Sequence, residues 1–306
     1  MDRILAMQTF VRVVETGSFS AVAKELQTTQ SAVSKQIAAL EKHLRISLLS
    51  RSTRSLALTD EGSRYFERAQ RLVAEIAEAE EQVQEGHQRL SGPIRLAAAV
   101  GFGRLKLLPL LKIFVREHPC LQVDLRLHDN FVDLIEHGVD LAVRVGNLSD
   151  SSLIARRIGL SKRHLVAHQN YLRDLPPGLS APRHPDDLRQ HNCLVYTELA
   201  TGSNWSFIAG PGAQEPVGTQ IQVRVKGNIK SNSSEIVRAT IMEGLGIGYA
   251  PEWLFEKELA SGELIKLLPH WSAPTAPISL ISPPQRLKST KVRELSNFLA
   301  DNLGLP

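Results

Sequence analysis

The chain has 306 residues, of which 42% are hydrophobic and 22% charged, proportions that are typical of a globular protein and exclude extensive disorder. Its length suggests about two domains of roughly 150 residues each, and the net charge of +4 is compatible with an anionic partner. Cys120 and Cys193 form no CxxC pair, so we expect reduced structural thiols, with redox sensing as the alternative. Asp2 and Arg3 open the chain without a long apolar stretch, which predicts a cytoplasmic protein with no membrane partner.

Three short helical patterns follow one another at the start of the chain. The first runs from Asp2 to Glu15, and Gly17 stands where a helix C-cap belongs. Ser18 can cap a second helix from about Phe19 to Leu26. The letters QTTQS, residues 27–31, then bring together hydroxyl and amide side chains, which favour caps and turns. Apolar residues recur at helical spacing beyond this turn: Ala32, Val33, Ile37, Leu40 and Leu44. The pattern predicts a helix-turn-helix.

A predicted hairpin and a long helix come next. Residues 46–59, ISLLSRSTRSLALT, are typical of a short two-stranded wing with Arg51 and Arg54 near its tip. Thr59 can cap a helix that extends to about Leu90. Its apolar positions step by four and three residues: Tyr65, Ala69, Leu72, Ile76, Ala79 and Val83. So narrow a seam predicts pairing with a partner helix, and packing on its own domain is the alternative.

The pattern changes after residue 91, where SGPIRLAAAV begins. Strand-like and helical runs then alternate to the end of the chain, which favours parallel βαβ units in an α/β domain. We place the domain boundary near residue 92.

These motifs resemble the LysR-type transcriptional regulators. The first ninety residues carry the resemblance through FVRVVETGSFSAVAKELQTTQSAVSKQIAALEKHL and LLSRSTRSLALTDEG. The second part carries it through FVDLIEHGVDLAVRVGNLSDSSLIARRIG and GLGIGYAPEWL. The resemblance implies an α/β protein overall, with an N-terminal all-α winged helix-turn-helix, a long dimerising linker helix and a two-lobed, periplasmic-binding-protein-like effector domain. The implied ranges are 1–59 for the DNA-binding domain with its core motif at 19–38, 60–90 for the linker, 92–306 for the effector domain, 92–161 with 267–306 for lobe I, and 162–266 for lobe II.

Two positions depart from the family's usual pattern. Arg45 stands where a glycine commonly follows the recognition helix, so we expect a turn that is strained or differently shaped there. Ser31 stands where proline is common, and it adds a hydroxyl that can donate to phosphate.

The proposed recognition helix begins with side chains suited to DNA. Gln30 can pair with adenine and Lys35 can reach guanine, while Ser31 and Ser34 suit phosphate or either base. Arg51 and Arg54 suit phosphate or minor-groove contacts. The predicted DNA-binding set is Thr29, Gln30, Ser31, Ser34, Lys35, Arg51 and Arg54. A dimer would double these contacts and predicts a pseudo-palindromic operator.

Two segments of the second half place backbone amides at predicted helix starts, where an anion can bind. The first comprises Val100, Gly101, Phe102 and Gly103, and the second Asn232 and Ser233. The resemblance implies that they face one another across an effector cleft. It adds Phe131, Arg144, Thr197 and Trp205 as further candidates.

The aromatic candidates favour a flat apolar effector and the amides a carboxylate. For Phe131 and Trp205 the alternative is core packing. For Arg144 it is an ion pair with Asp140 or Asp133.

Taken together, the sequence predicts a transcriptional regulator whose binding to double-stranded operator DNA is modulated by a small molecule, and which forms a homodimer or homotetramer. An effector-independent repressor with a vestigial cleft is one alternative, and an enzyme with an appended DNA-binding head is another. The sequence contains no P-loop, HExxH or GxSxG motif, and GFG lacks the third glycine of a dinucleotide fingerprint. We therefore expect no enzyme activity, cofactor or metal.

Overall fold

A computed structural model describes the protein at residues 2–50, 57–83, 90–130, 134–135, 137–148 and 152–304. It divides into two compact units. The first comprises Met1–Pro93 with Cys120–Gln122, and the second Ile94–Pro119 with Val123–Pro306. No helix among the described residues is both long enough and apolar enough to span a bilayer.

The first unit is helical. Its elements are α1 (Arg3–Thr16), α2 (Phe19–Glu25), α3 (Gln30–Leu44), the paired strands β1 (Leu49–Ser50) and β2 (Ala57–Leu58), and α4 (Asp60–Val83). The two strands are antiparallel, with Leu49 opposite Leu58. The core lies between the first three helices, where Phe10, Val22 and Ile37 are buried together. This confirms the predicted helix-turn-helix.

The helix ends form where the sequence predicts them. Gly17 adopts the left-handed conformation, with φ of 65°, and ends α1. Ser18 accepts a hydrogen bond from the N–H of Ala21 at the start of α2. Thr29 ends the polar turn and accepts from the N–H of Ala32, which fixes the start of α3.

Arg45 adopts the left-handed conformation after α3, with φ of 58° and ψ of 30°. This conformation costs a residue with a Cβ about 1–2 kcal/mol. The prediction of a strained turn at this position is confirmed.

The seam of α4 divides into two parts. Tyr65 packs on Phe10 with ring centroids 5.7 Å apart, and Ala69 is buried. These two positions belong to the core of the first unit, so the expectation that they contact a partner helix is wrong. Leu72, the next seam position, is 47% exposed. The side chains of Ala79 and Val83 and the backbone of residues 84–89 lie outside the described residues.

The second unit alternates strands and helices. The first two strands begin with residues that belong to the first unit. The strands are β3 (Gly92–Ala98), β4 (Leu121–Leu127), β5 (Leu141–Val145), β6 (Ile154–Ser161), β7 (Arg163–His168), β8 (Cys193–Tyr196), β9 (Asn204–Ala209), β10 (Gln220–Arg224), β11 (Lys230–Ser231), β12 (Ile247–Pro251), β13 (Leu264–Leu267), β14 (Trp271–Ser272) and β15 (Ala276–Ser282). Its helices are α5 (Val100–Phe102), α6 (Leu108–Glu117), α7 (Gln169–Arg173), α8 (Ser234–Met242), α9 (Glu256–Ser261) and α10 (Thr290–Asn302), and a π-helical turn, Gly103–Leu107, joins α5 to α6.

The strands form three sheets. Their orders are β4-β3-β5-β15-β6, β11-β8-β12-β7-β13 and β10-β9-β14. The predicted parallel pairing holds for β3 with β5 and for β8 with β11 and β12. Strand β15 is antiparallel to β5 and β6, and β7 is antiparallel to β12 and β13, so both five-stranded sheets are mixed.

The chain crosses from the first sheet to the second between Ser161 and Arg163. The return crossing differs from the expectation. Leu267 still pairs within the second sheet and Trp271 pairs with β9, so the chain rejoins the first sheet only at Ala276. The predicted end of lobe II at residue 266 is therefore too early, because pairing outside the first sheet continues as far as Ser272.

Candidate functional site

The first turns of α3 present one continuous polar surface. Gln30, Ser31, Ser34 and Lys35 are all exposed, whereas Val33 and Ile37 are buried on the other side of the helix. The spacing i, i+1, i+4, i+5 places the four polar side chains on adjacent strips of the helix surface. The structure thus brings these predicted DNA contacts together at the helix N-terminus.

Some of these side chains are held by neighbours. Gln30 Oε1 accepts a hydrogen bond from Ser20 Oγ at 3.2 Å, and the hydroxyl oxygens of Thr29 and Ser31 lie 3.0 Å apart. Because Thr29 also caps the helix, its hydroxyl orients the turn. The side chains of Ser34 and Lys35 form no hydrogen bond or ion pair with any described residue and are exposed, so both can contact a ligand. Arg51 and Arg54 lie outside the described residues.

The second unit contains a cavity of about 380 Å³. This is within the range of small-molecule sites. Two arginines, Arg144 at the end of β5 and Arg163 at the start of β7, line it, together with the aromatic residues Tyr196, Tyr249 and Trp253.

Arg163 has no carboxylate partner among the described residues, and its neighbours are the phenol groups of Tyr249 and Tyr196. Its guanidinium carbon lies 5.3 Å from the ring centroid of Tyr249, a cation–π distance. Its Nε is inaccessible to solvent and has no hydrogen-bond acceptor among the described residues. Burial lowers the pKa of Arg163 below its ordinary value, because a desolvated guanidinium loses the hydration of its charge.

Arg144 lines the same cavity, as predicted for an effector contact. Its Nη1 lies 3.5 Å from the carbonyl oxygen of Asn130, and burial lowers its pKa as well. The alternative partner Asp140 accepts instead from the N–H of Arg95 at 2.7 Å, and its other oxygen lies 3.4 Å from Arg286 Nε. Asp133 lies outside the described residues.

The two predicted anion-binding helix starts do come together, but a carboxylate of the protein already lies between them. Asp129 Oδ1 accepts from the N–H of Val100 at 2.9 Å, and its Oδ2 accepts from the N–H of Ser234 at 2.6 Å. Ser233 caps α8 through its own hydroxyl, and Asn232 is exposed. Of the predicted amides, that of Val100 is therefore not free to bind an effector carboxylate, nor is that of Ser233, which donates to Ser231 Oγ at 3.0 Å.

Close packing explains the glycines of the first segment. A Cβ at Gly101 would lie 3.0 Å from Leu254 Cδ1, and one at Gly103 would lie 2.3 Å from Leu127 Cδ2. Both glycines thus serve backbone packing.

Two aromatic candidates are core residues. Phe102 is fully buried and meets Trp253 edge-on, with centroids 5.1 Å apart. Trp205 is 1% exposed and stacks on Tyr249, also at 5.1 Å. Neither lines the cavity, so the prediction that they contact an effector is wrong, and each instead supports an aromatic residue that does line it. Thr197 is exposed outside the cavity lining, and Phe131 lies outside the described residues.

The sequence reading missed Arg163, Tyr196, Tyr249 and Trp253. One signal was available for Arg163, because it begins strand β7 just before the apolar residues Leu165, Val166 and Ala167. A charge next to a buried strand indicates either an exposed edge or a ligand site.

Comparison with known proteins decides the family. Residues 4–63 match the model for the bacterial regulatory helix-turn-helix protein of the lysR family, and residues 87–304 match the LysR substrate binding domain. The chain belongs to the LysR family of transcriptional regulators.

Several relatives are similar over almost their whole length. The HTH-type transcriptional activator TtdR of Escherichia coli is 34% identical, over 98% of this chain and 94% of the relative. The regulator PtxR of Pseudomonas aeruginosa is 33% identical, over 96% and 91%. The structure of CrgA, a LysR-type regulator from Neisseria meningitidis, covers 98% of both chains with a TM-score of 0.61 at 33% identity. LysR-type regulators bind DNA and carry a substrate-binding domain, and the α3 surface and the cavity of this chain lie in the two matched regions.

Proposed function

We propose that this LysR-family protein reads a specific operator through the first turns of α3 and that a small molecule in the second-unit cavity modulates its occupancy of that operator. The observation that carries the proposal is the exposed polar surface of Gln30, Ser31, Ser34 and Lys35 at a capped helix N-terminus. A reader of chromosomal DNA acts in the cytoplasm.

The chemistry of these side chains supports base reading. A glutamine amide can donate to and accept from adenine, and a lysine ammonium can donate to guanine O6 or N7. The two serine hydroxyls suit phosphate, which positions the helix without reading sequence. Arg51 and Arg54 stay predicted contacts of the wing.

Self-association would double the DNA contacts. Leu72 continues the apolar seam of α4 into solvent, which supports pairing of α4 with a second copy as a homodimer or within a homotetramer. Two reading helices related by a two-fold axis require half-sites about one helical turn apart.

The cavity supports effector control over the alternative of an effector-independent repressor. A buried arginine is costly unless an anion pairs with it, so Arg163 in the cavity lining favours an occupied site. A small molecule that binds one arrangement of the sheets more tightly would shift operator affinity, and such coupling is typically about 1–3 kcal/mol.

The test is binding of the purified protein to fragmented host DNA at fixed salt, followed by sequencing. Wild type should enrich a few palindromic sites, and the double variant Gln30→Ala with Lys35→Ala should lose them. Lys42→Ala, on the same helix about two turns further on, is the matched control and should keep them. Uniform, salt-sensitive binding by all three proteins would contradict base reading by α3.

A further inference from the structure

We infer that the second-unit cavity binds an organic monocarboxylate whose carboxylate group pairs with Arg163 and whose compact apolar body packs against the cavity wall. This inference rests on the proposed function, because it names the ligand class of the proposed effector site.

The guanidinium of Arg163 has hydrogen-bonding capacity that the protein does not use. Proteins seldom leave a buried charged donor without an acceptor, since each unmade bond forfeits the hydration that the group had in water. Arg163 Nε has no acceptor among the described residues, and the nearby Tyr249 offers its ring face to the guanidinium. Because Nε has no accessible surface, an anion in the cavity would accept from the Nη groups of the guanidinium and balance its charge.

The carboxylates that line the cavity are not partners of Arg163. Asp129 is engaged by the N–H groups of Val100 and Ser234. Glu198 Oε1 lies 3.5 Å from Thr197 Oγ1, and neither carboxylate forms an ion pair with Arg163. Within the described residues, the protein does not neutralise Arg163 itself.

The geometry of a guanidinium favours a carboxylate over other anions. A guanidinium presents parallel N–H groups that match the two oxygens of a carboxylate. The usual rival, a phosphate group on helix amides, is disfavoured because Asp129 already occupies the amides at the starts of α5 and α8.

The cavity lining also limits the size and polarity of the rest of the ligand. Part of the cavity wall is apolar, formed by Val143, Leu199, Pro251, Trp253 and Leu254. A cavity of about 380 Å³ lined by such side chains fits a flat body of about one ring.

The experiment is isothermal titration calorimetry of the full chain at fixed pH and salt. The ligands are benzoate, salicylate, phenylacetate and cinnamate, each compared with its carboxamide. The proteins are wild type, Arg163→Met, which keeps the length of the side chain without its charge, and the control Arg157→Met, which removes an exposed arginine of β6. At least one acid should bind wild type and Arg157→Met at least tenfold more tightly than Arg163→Met, and its carboxamide should bind all three proteins equally weakly.

Equal binding of the acid by Arg163→Met and wild type would overturn the inference, as would equal binding of acid and carboxamide by wild type. Failure of all four acids to bind wild type at millimolar concentration would overturn it too.

A gel-shift arm separates this inference from the proposed function. Acid binding that leaves operator affinity unchanged supports the ligand class and contradicts effector control. Operator binding that depends on Lys35, in a protein that binds none of the acids, contradicts the ligand class and leaves the regulator in place.

Discussion

Asp129 accepts a hydrogen bond from the backbone N–H of Ser234 at 2.6 Å, and its other carboxylate oxygen accepts from the N–H of Val100 at 2.9 Å. One side chain therefore ties the start of α8 to the start of α5. Since Asp129 follows β4 of the first sheet and α8 follows β11 of the second, the bond joins the two five-stranded sheets of the second unit.

Removing this carboxylate should destabilise the second unit. We expect Asp129→Ala to lower the free energy of unfolding by about 1–3 kcal/mol, because two partly buried N–H groups lose their acceptor. Ser234→Ala removes only the hydroxyl that donates to Asp129 at 3.1 Å, and should cost less than half as much. All three tryptophans, Trp205, Trp253 and Trp271, belong to the second unit, so urea unfolding followed by tryptophan fluorescence reports on it selectively. Equal losses in the two variants would show that the backbone bonds contribute nothing.

The two cysteines should differ sharply in reactivity. Cys193 is fully buried and its burial raises the thiol pKa from 9.0 to about 12, so almost no thiolate forms near neutral pH. Cys120 is exposed. A thiol reagent at pH 8 should label one cysteine rapidly in the native protein, and Cys120→Ser should abolish that fast phase. Rapid labelling of both thiols in wild type would contradict the burial of Cys193.

The raised pKa of the Cys193 thiol also makes the stability of the protein depend on pH. The folded thiol titrates above the unfolded one, so the contribution of Cys193 to the free energy of unfolding is fully present below about pH 9. It is lost as the pH rises toward about 12. Wild type should thus lose more stability than Cys193→Ala over that range in urea titrations. Parallel losses would mean that this thiol does not titrate on unfolding.

The sequence predicted the first unit well because local rules decide its structure. Ser18, Thr29 and Thr59 each accept a hydrogen bond from an N–H of the first turn that follows, and Gly17 ends α1 in the left-handed conformation. Caps and helical spacing act over a few residues and can be read directly.

The cavity could not be predicted in the same way. Whether Trp205 or Trp253 faces the cavity depends on packing between strands and helices far apart in the chain, and both are aromatic residues in apolar runs. The engagement of the helix starts by Asp129 is a contact between residues 105 positions apart, which no local pattern encodes.

The left-handed turn after α3 should be relieved by glycine. Arg45→Gly removes the Cβ clash at φ of 58°, and the greater freedom of glycine in the unfolded chain offsets part of the gain. We expect a net stabilisation of the first unit by about 0.5–1 kcal/mol. The thermal transition followed by circular dichroism at 222 nm should rise, with the tryptophan transition unchanged. Arg45→Ala keeps the strain and should show no gain; a gain as large as that of glycine would assign the effect to the arginine side chain.

The exposed seam of α4 should control self-association. Leu72→Glu places a charge at the 47% exposed seam position, and a charge buried in a helix interface is strongly unfavourable. Light scattering over a dilution series should show weaker association than wild type. Leu26→Glu is the control, because it makes the same change at a 42% exposed leucine outside α4. Equal association of all three proteins would mean that Leu72 does not lie in the interface.

Salt dependence should distinguish base reading from phosphate contact at the α3 surface. If Lys35 contacts a phosphate, Lys35→Ala weakens binding to all DNA and lowers the slope of log affinity against log salt by about one per binding site. If Lys35 contacts a guanine, the same variant loses about 1–3 kcal/mol on the operator and discriminates less at one base pair. We expect the second result, because Lys35 lies on the exposed side of α3 next to Gln30 and Ser34 and has no competing partner among the described residues.

Gel shifts with the operator and with single-base variants, each at several salt concentrations, measure both quantities. Lys42→Ala, which removes the same charge near the end of the helix, should leave both unchanged. If neither quantity changes in Lys35→Ala, Lys35 does not contact DNA.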